Sequence, residues 1–160
     1  MADKILIVFL STAIGLCLGH VFYKKYAGRK VYFENLINFS EKMLQNLSFK
    51  QENLKEFVLE SKKYYSGIFR LSLESFEKYL SGGVDFSVGI EVDKETVSRI
   101  KNFFLSLGTK DLYTQKDFLI SEKVYFIEKA EQAKVELTKK GVPLLKIGAL
   151  LGALVGILLL

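Results

Sequence analysis

Two long apolar runs, one near each end of the chain, constrain the fold more than any other feature. The first run, from Ile5 to Tyr23, reads ILIVFLSTAIGLCLGHVFY and carries no formal charge. The second, from Gly141 to Leu160, contains Lys146 as its one charged residue. A helix needs roughly 20 apolar residues to cross ~30 Å of hydrocarbon, which is about the length of each run. We therefore predict a transmembrane helix over 4–23, a polar domain over 24–140 and a second transmembrane helix over 141–160.

The first run has two other interpretations. A cleaved signal peptide begins with a basic region and ends at a small-x-small site, but here Lys4 stands beside Asp3 and no such site follows. Cys17 would carry the lipid of a lipoprotein, but Leu16 occupies the position where a small residue is expected. We favour a membrane span.

Basic residues flank both runs on the side of the polar middle. They are Lys24, Lys25, Arg29 and Lys30 after the first run, and Lys139, Lys140 and Lys146 before or within the second. Such residues stay on the cytoplasmic side of a membrane, where they meet anionic lipid headgroups. We therefore expect a two-pass protein of the cell membrane with a cytoplasmic middle domain and both termini outside.

The formal net charge of +5 comes from these flanks. Residues 31–138 carry 15 Lys and Arg against 17 Asp and Glu, a net of −2. A nucleic-acid-binding domain needs a basic face of its own, so we expect no nucleic-acid partner. The chain has one cysteine and one histidine, both in the first run, which excludes an internal disulfide and a Cys/His zinc site.

The middle domain is predicted to be an all-α bundle. Its apolar residues recur at helical spacing, and it contains no proline. Start and stop signals divide it into five helices: one over about 29–47, a short one around Phe57, one ending before Gly82, one capped by Asp93, and one that begins after Gly108, is capped by Thr109 and runs to Lys140. The stretch GGVDFSVGIEV is the longest irregular segment, with room for a brief extended piece.

The middle domain offers little catalytic chemistry. It has no histidine to act as a general base near neutral pH and no cysteine nucleophile. Its stretch SGGVDFS lacks the lysine and the strand–helix setting of a phosphate-binding loop. We expect no enzyme activity, cofactor, metal or small-molecule substrate. Two alternatives stay open: a membrane-bound enzyme that uses carboxylates of the helical domain, and an extracytoplasmic domain anchored at its front end.

Small residues recur at every fourth position in both apolar runs. They are Ser11, Gly15 and Gly19 in the first run, and Gly148, Gly152 and Gly156 in the second. This spacing lets transmembrane backbones approach closely, so that packing replaces the hydrophobic drive that lipid cannot supply. We predict a specific helix–helix contact at these glycines, either between the two spans or with another membrane protein.

The last third of the chain combines several features in a fixed order. They are Leu107-Gly108, Asp111 and Gln115 at the head of the long helix, Ala130 and Ala133 further along it, and a Lys-rich approach to a Gly-spaced span. In this order they resemble the stage III sporulation protein AB family of endospore-forming bacteria. The resemblance covers residues 103–160 most strongly. We expect Gly108, Asp111 and Gln115 to shape the bundle or its contact surface.

This resemblance implies a place in the channel complex that joins mother cell and forespore during sporulation, in the mother-cell membrane around the forespore. Family members are similar to the cytoplasmic helical domains of inner-membrane platform proteins in type II secretion and type IV pilus systems. By analogy, the chain would be a non-enzymatic platform. Its bundle would dock a secretion-type ATPase, and its spans would contact lipid and other channel subunits.

Overall fold

The structure is a computed structural model that describes the backbone of residues 2–50 and 53–159, and the side chains of residues 5–48 and 53–159. All regular secondary structure in these residues is helical, which confirms the predicted all-α class. The α-helices are α1 (Ala2–Gln45), α2 (Leu54–Ser61), α3 (Gly67–Leu80), α4 (Lys94–Leu105), α5 (Leu112–Glu136) and α6 (Val142–Leu158). Two π-helical turns, Asn46–Lys50 and Leu137–Gly141, follow α1 and join α5 to α6.

Two helical stretches are long and apolar enough to cross a membrane, Ile5–Ser48 and Leu112–Leu158. The 44 residues of α1 extend for about 66 Å at 1.5 Å per residue, about twice the hydrocarbon thickness of a bilayer. The prediction of a separate helix beginning near residue 29 was wrong. Residues 24–34 contain no proline and no Ser, Thr, Asp or Asn to cap a new helix after Gly28, so α1 continues through this glycine.

The chain divides into two compact units, and the boundaries between them fall inside α1 and α5. One unit comprises the chain up to Lys30 together with the chain from Glu131 onward, and is called the hairpin below. The other, Val31–Ala130, is called the bundle.

The core of the bundle is rich in phenylalanine, and Phe104 of α4 lies at its centre. The Phe104 ring is fully buried, and its centroid lies 5.1 Å from that of Phe76, 5.2 Å from Phe86, 5.3 Å from Phe103 and 5.8 Å from Phe39. Tilted and edge-to-face ring pairs of this kind stabilise a core beyond the effect of buried area alone. One side chain therefore connects α1, α3, α4 and the segment that precedes α4.

The irregular segment between α3 and α4 is held against α3 by hydrogen bonds from its backbone N–H groups to serine side chains of the helix. Ser87 N donates to Ser75 Oγ at 2.9 Å, and Gly89 N donates to Ser72 Oγ at 3.4 Å. Phe86 is buried within the same segment. Two serines of α3 thus bind main-chain N–H groups on either side of Val88 and hold this segment along the helix.

The predicted cap of α4 is confirmed. Asp93 Oδ1 accepts a hydrogen bond from Thr96 N at 2.8 Å, and Asp93 Oδ2 accepts one from Thr96 Oγ1 at 2.8 Å. These bonds lower the pKa of the Asp93 carboxyl below its usual value because they favour the charged form. Further along α4, Arg99 pairs with Glu122 through two nitrogens and lies 3.7 Å from the centre of the Tyr125 ring, which joins α4 to α5.

Candidate functional site: a glycine-lined hairpin and the turn before α5

Within the hairpin, α1 and α6 run antiparallel and approach closely at their small residues. A Cβ atom added to Gly152 would lie 2.5 Å from Ser11 O and 2.9 Å from Thr12 Cα. A Cβ atom added to Gly148 would lie 2.5 Å from Gly15 O. Real Cβ atoms almost never come within 3.0 Å of such neighbours. At this spacing of the two backbones, only glycine, which has no Cβ atom, fits without displacing its neighbours.

The contact extends in both directions from its centre. A Cβ atom on Gly19 would lie 3.0 Å from both Leu144 O and Leu145 Cα, and one on Gly156 would lie 2.7 Å from Val8 Cα. All five glycines that the sequence singled out therefore lie at the α1–α6 contact. The sequence left their partner open, and in this structure it is the other helix of the same chain.

Hydroxyl groups in the contact bond to their own helix. Ser11 Oγ donates to Ile7 O at 2.9 Å, and Thr12 Oγ1 donates to Val8 O at 2.7 Å. Such bonds satisfy each hydroxyl within its own helix. The attraction between the two helices therefore comes from packing of main chain against main chain, with weak Cα–H···O contacts at this spacing.

Large apolar side chains cover the outer faces of the same two helices. Ile5 is 72% exposed and Phe9 76% on α1, and Leu150 is 70% exposed and Leu158 76% on α6. The hairpin thus has glycines between its two helices and large apolar residues on its outer surface, which is the reverse of a water-soluble protein, where large apolar residues fill the core. This surface matches the interior of a lipid bilayer.

An apolar groove of about 500 Å³ runs along one side of the α1–α6 contact. Side chains of both helices line it, among them Ile14, Leu18, Phe22, Ile147 and Leu151. The lining presents almost no polar atoms, so the groove suits hydrocarbon and offers no group for catalysis.

Basic and acidic side chains meet in the hairpin beyond the row of glycines, near Gly141. Arg29 Nη1 lies 3.4 Å from Glu136 Oε2, and Lys140 Nζ lies 3.2 Å from Glu136 Oε1. A Cβ atom on Gly141 would lie 3.3 Å from Tyr26 Cβ, so the two predicted basic flanks stand at the same level. Lys24, Lys25, Lys139 and Lys146 are exposed, and Lys30 is half-buried.

The helix does not end at the chain's single proline. Val142 N donates to Leu137 O, five residues back, in the π-helical turn that precedes Pro143. Proline has no N–H, and its ring crowds the carbonyl four residues earlier, so an ordinary α-helix kinks at this residue. A wider turn directly before Pro143 accommodates the ring, and α5 continues into α6 as one helical path.

The turn before α5 brings together the three residues that the family resemblance singled out. Gly108 has a φ of +73°, and its N–H donates to Gln115 Oε1 at 3.1 Å. A Cβ atom on Gly108 would lie 3.2 Å from Leu54 Cδ2 of α2. Asp111 Oδ1 accepts a hydrogen bond from Thr114 N at 3.1 Å. The three residues thus define the chain path into α5 and its contact with α2.

Asp111 rather than Thr109 caps α5, which corrects the sequence-based prediction. Thr109 Oγ1 donates to Ser106 O at 3.0 Å and so belongs to the preceding turn. Hydrogen bonds from the side chain and backbone of Thr114 lower the pKa of the Asp111 carboxyl below its usual value. Gln115 is 2% exposed, so its side chain acts within the fold, whereas Gly108 and Asp111 are exposed.

Among the described residues, no group of three or more His, Cys, Asp or Glu side chains is placed to hold a metal ion. No protein-family model matches the chain, and no match to it was found among curated proteins or among solved structures. The resemblance to the stage III sporulation protein AB family therefore stays a prediction.

Proposed function

We propose that the chain is a two-pass membrane platform subunit whose bundle lies in the cytoplasm and docks a secretion-type ATPase. The hairpin anchors the bundle in the mother-cell membrane around the forespore and packs with other subunits of the sporulation channel. The ATPase and the channel enter through the family resemblance, whereas the anchoring is argued from the hairpin itself.

One observation carries the membrane part of the proposal: α1 and α6 expose their large apolar residues and bury their glycines. Phe9 and Leu158 are each 76% exposed, although water would favour the burial of both. The core helix of a soluble protein buries its apolar residues, and a cleaved signal peptide would leave α6 without a partner. A lipid bilayer satisfies the outer faces of both helices together.

The basic residues support the orientation. They cluster on both helices of the hairpin at the end where the chain leaves for the bundle, at Lys24 and Lys25 on one side and at Lys139 and Lys140 on the other. Arginine and lysine beside a span are retained on the cytoplasmic face. Lys146 lies about 7.5 Å deeper than Gly141 at 1.5 Å per residue, within reach of the headgroups for a long flexible side chain.

The experiment is a purification of the tagged full-length chain from native membranes in mild detergent. We expect a secretion-type ATPase and other membrane subunits to co-purify with the unaltered chain. Gly152→Leu places a large side chain against Ser11 and Thr12, so it should lose the membrane subunits and keep the ATPase on a folded bundle. The absence of any secretion-type ATPase from the unaltered sample would remove the docking function, and normal co-purification of Gly152→Leu would remove the role of the hairpin.

A further inference from the structure

The apolar groove of the hairpin is as long as one leaflet of a bilayer is deep. Its lining extends from Ser11 to Phe22 on α1 and from Leu144 to Leu159 on α6. These stretches cover about 16 Å and about 22 Å at 1.5 Å per residue. The hydrocarbon of one leaflet is ~15 Å deep, half of the ~30 Å of a bilayer. The groove is therefore long enough to hold one lipid acyl chain along its length.

The volume of the groove favours an acyl chain over another membrane-spanning helix. Its 500 Å³ lie within the roughly 300–1,000 Å³ of sites that enclose one small ligand. A helix ~10 Å across would occupy roughly 1,300 Å³ over 16 Å of its length. Such a helix would rest on the edges of the groove and leave part of it unfilled, which forfeits packing contacts. A single hydrocarbon chain can follow the groove and fill it.

One end of the groove borders two lysines. Lys25 follows Phe22 of the lining by three residues, and Lys140 precedes Leu144 of the lining by four. Residues three or four apart lie on the same face of a helix, so each lysine continues the face that lines the groove. Both lysines are exposed. The groove thus has a basic end, and its remaining length is apolar.

Ion pairs within the hairpin leave this end positively charged. Arg29 and Lys140 share the single carboxylate of Glu136, at 3.4 Å and 3.2 Å. Residues 24–30 and 131–146 together carry eight Lys and Arg against two Glu, a net of +6. One carboxylate cannot neutralise two cations, so the basic end attracts a further anion. At the surface of a membrane, the abundant anion is the phosphate group of an acidic lipid.

We propose that the groove binds one acyl chain of an anionic phospholipid, whose phosphate group lies at the basic end near Lys25 and Lys140. An acyl chain gains no hydrophobic free energy when it leaves the bilayer for the groove, because both surroundings are hydrocarbon. The headgroup therefore decides which lipid binds, and each basic residue near the surface favours an anionic lipid about fivefold. The proposal rests on the membrane anchoring proposed above and is independent of the ATPase.

The test is native mass spectrometry of the full-length chain in mild detergent, with equal amounts of phosphatidylglycerol and phosphatidylcholine that carry the same acyl chains. We expect one retained phosphatidylglycerol per chain, at least about tenfold over phosphatidylcholine. Lys25→Gln with Lys140→Gln should reduce this preference to about twofold or less. The matched control, Lys24→Gln with Lys139→Gln, removes the same charge from the far side of each helix and should keep most of the preference. No preference in the unaltered chain, or an equal loss in the two double variants, would overturn the proposal.

A second pair of variants tests the groove itself. Leu18 lines the groove, and Leu16, on the same helix, lies outside it. Leu18→Trp should lower the retained phosphatidylglycerol at least about fivefold, and Leu16→Trp should leave it unchanged. Equal retention in the two variants, or a dimer that carries no lipid, would overturn the proposal.

An alkaline wash of liposomes made of the same two lipids separates this proposal from the platform function. A chain that washes off refutes the membrane anchoring and the lipid site together. A chain that stays in the liposomes but shows no lipid preference refutes the lipid site alone, and the co-purification described above still decides the platform function.

Discussion

The close approach of α1 and α6 makes a sharp prediction about two alanine substitutions. Gly152→Ala and Gly28→Ala change the same residue type in the same way, and both glycines lie inside helices of the hairpin. A Cβ atom at Gly152 would lie 2.5 Å from Ser11 O, whereas one at Gly28 would find no atom within 4 Å. Both substitutions gain the same intrinsic helix preference of about 1 kcal/mol. The difference between their effects on hairpin stability therefore measures the α1–α6 contact at Gly152 alone.

The magnitude follows from the geometry. An ordinary contact at this site needs a separation of ~3.4 Å, so the two backbones must move apart by about 0.9 Å, and a gap of that size forfeits a quarter to a half of the local contact energy. Overpacking of this kind costs about 1–3 kcal/mol. We therefore expect Gly152→Ala to favour the separated helices by roughly 5- to 150-fold relative to Gly28→Ala.

The assay is energy transfer between two dyes on the hairpin. Phe9→Cys and Leu158→Cys in a Cys17→Ala background carry the dyes, and sodium dodecyl sulfate is titrated into mild detergent micelles until the helices separate. The midpoint should fall for Gly152→Ala and should stay level or rise for Gly28→Ala. Equal midpoints for the two variants would show that the backbones do not approach closely at Gly152.

Three further predictions concern the bundle and are read by denaturant or acid unfolding of the full chain in micelles. Phe104→Ala should lower the free energy of unfolding by about 3–5 kcal/mol, because it empties the centre of the core; a loss below that of an ordinary surface substitution would contradict the packing. Gly108→Ala should cost about 1–2 kcal/mol, because alanine is strained at φ +73°, and a neutral result would mean a different turn. The pKa values of Asp93 and Asp111 are lowered in the folded state, so their stabilisation is present above the unfolded pKa of ~3.9 and is lost as the pH falls through the folded values. The double variant Asp93→Asn with Asp111→Asn should lose less unfolding free energy than the unaltered chain as the pH falls below about 5. An unchanged pH dependence would contradict both caps.

Local signals in the sequence predicted much of the bundle. Asp93 was expected to cap α4 because a short acceptor stands directly before a run of helical periodicity, and the structure places its carboxylate on Thr96. The cap of α5 was assigned to Thr109 because it follows Gly108, but the turn needs three more residues before the helix begins at Leu112. Local propensity does not determine how many residues a turn uses, and this turn includes a hydrogen bond from Gly108 N to Gln115 Oε1, seven residues further on, that no local pattern predicts.

Longer-range features were harder to predict. The periodicity of the first bundle helix did not single out Phe39, which is fully buried among four aromatic rings. Ile68 and Tyr79 share the apolar spacing of Phe69 and Phe76 along α3, yet they are 40% and 38% exposed. An apolar pattern shows that a helix has a buried face, but the direction of its neighbours decides which edge of that face is covered.

The glycine spacing predicted a helix–helix contact but not its partner. Small-xxx-small triplets on two helices are equally compatible with a contact inside the chain and with one between chains. The structure pairs Gly15 with Gly148, because the antiparallel course of α1 and α6 brings the two triplets to the same depth. The antiparallel direction of the two helices depends on the path of the roughly 100 residues that connect them, and a local sequence pattern does not predict that path.

The most direct test of the account is the side of the membrane on which the bundle lies. In a Cys17→Ala background, a single cysteine at Ser66, an exposed residue at the start of α3, is treated with a membrane-impermeant thiol reagent in intact vegetative cells that express the chain, so that its membrane borders the medium. A matched chain carries Ala2→Cys instead. The account predicts that the thiol at 66 stays protected until the cells are lysed and that the thiol at 2 reacts in intact cells. Labelling at 66 in intact cells would place the bundle outside, and would contradict both the orientation and the docking of a cytoplasmic ATPase.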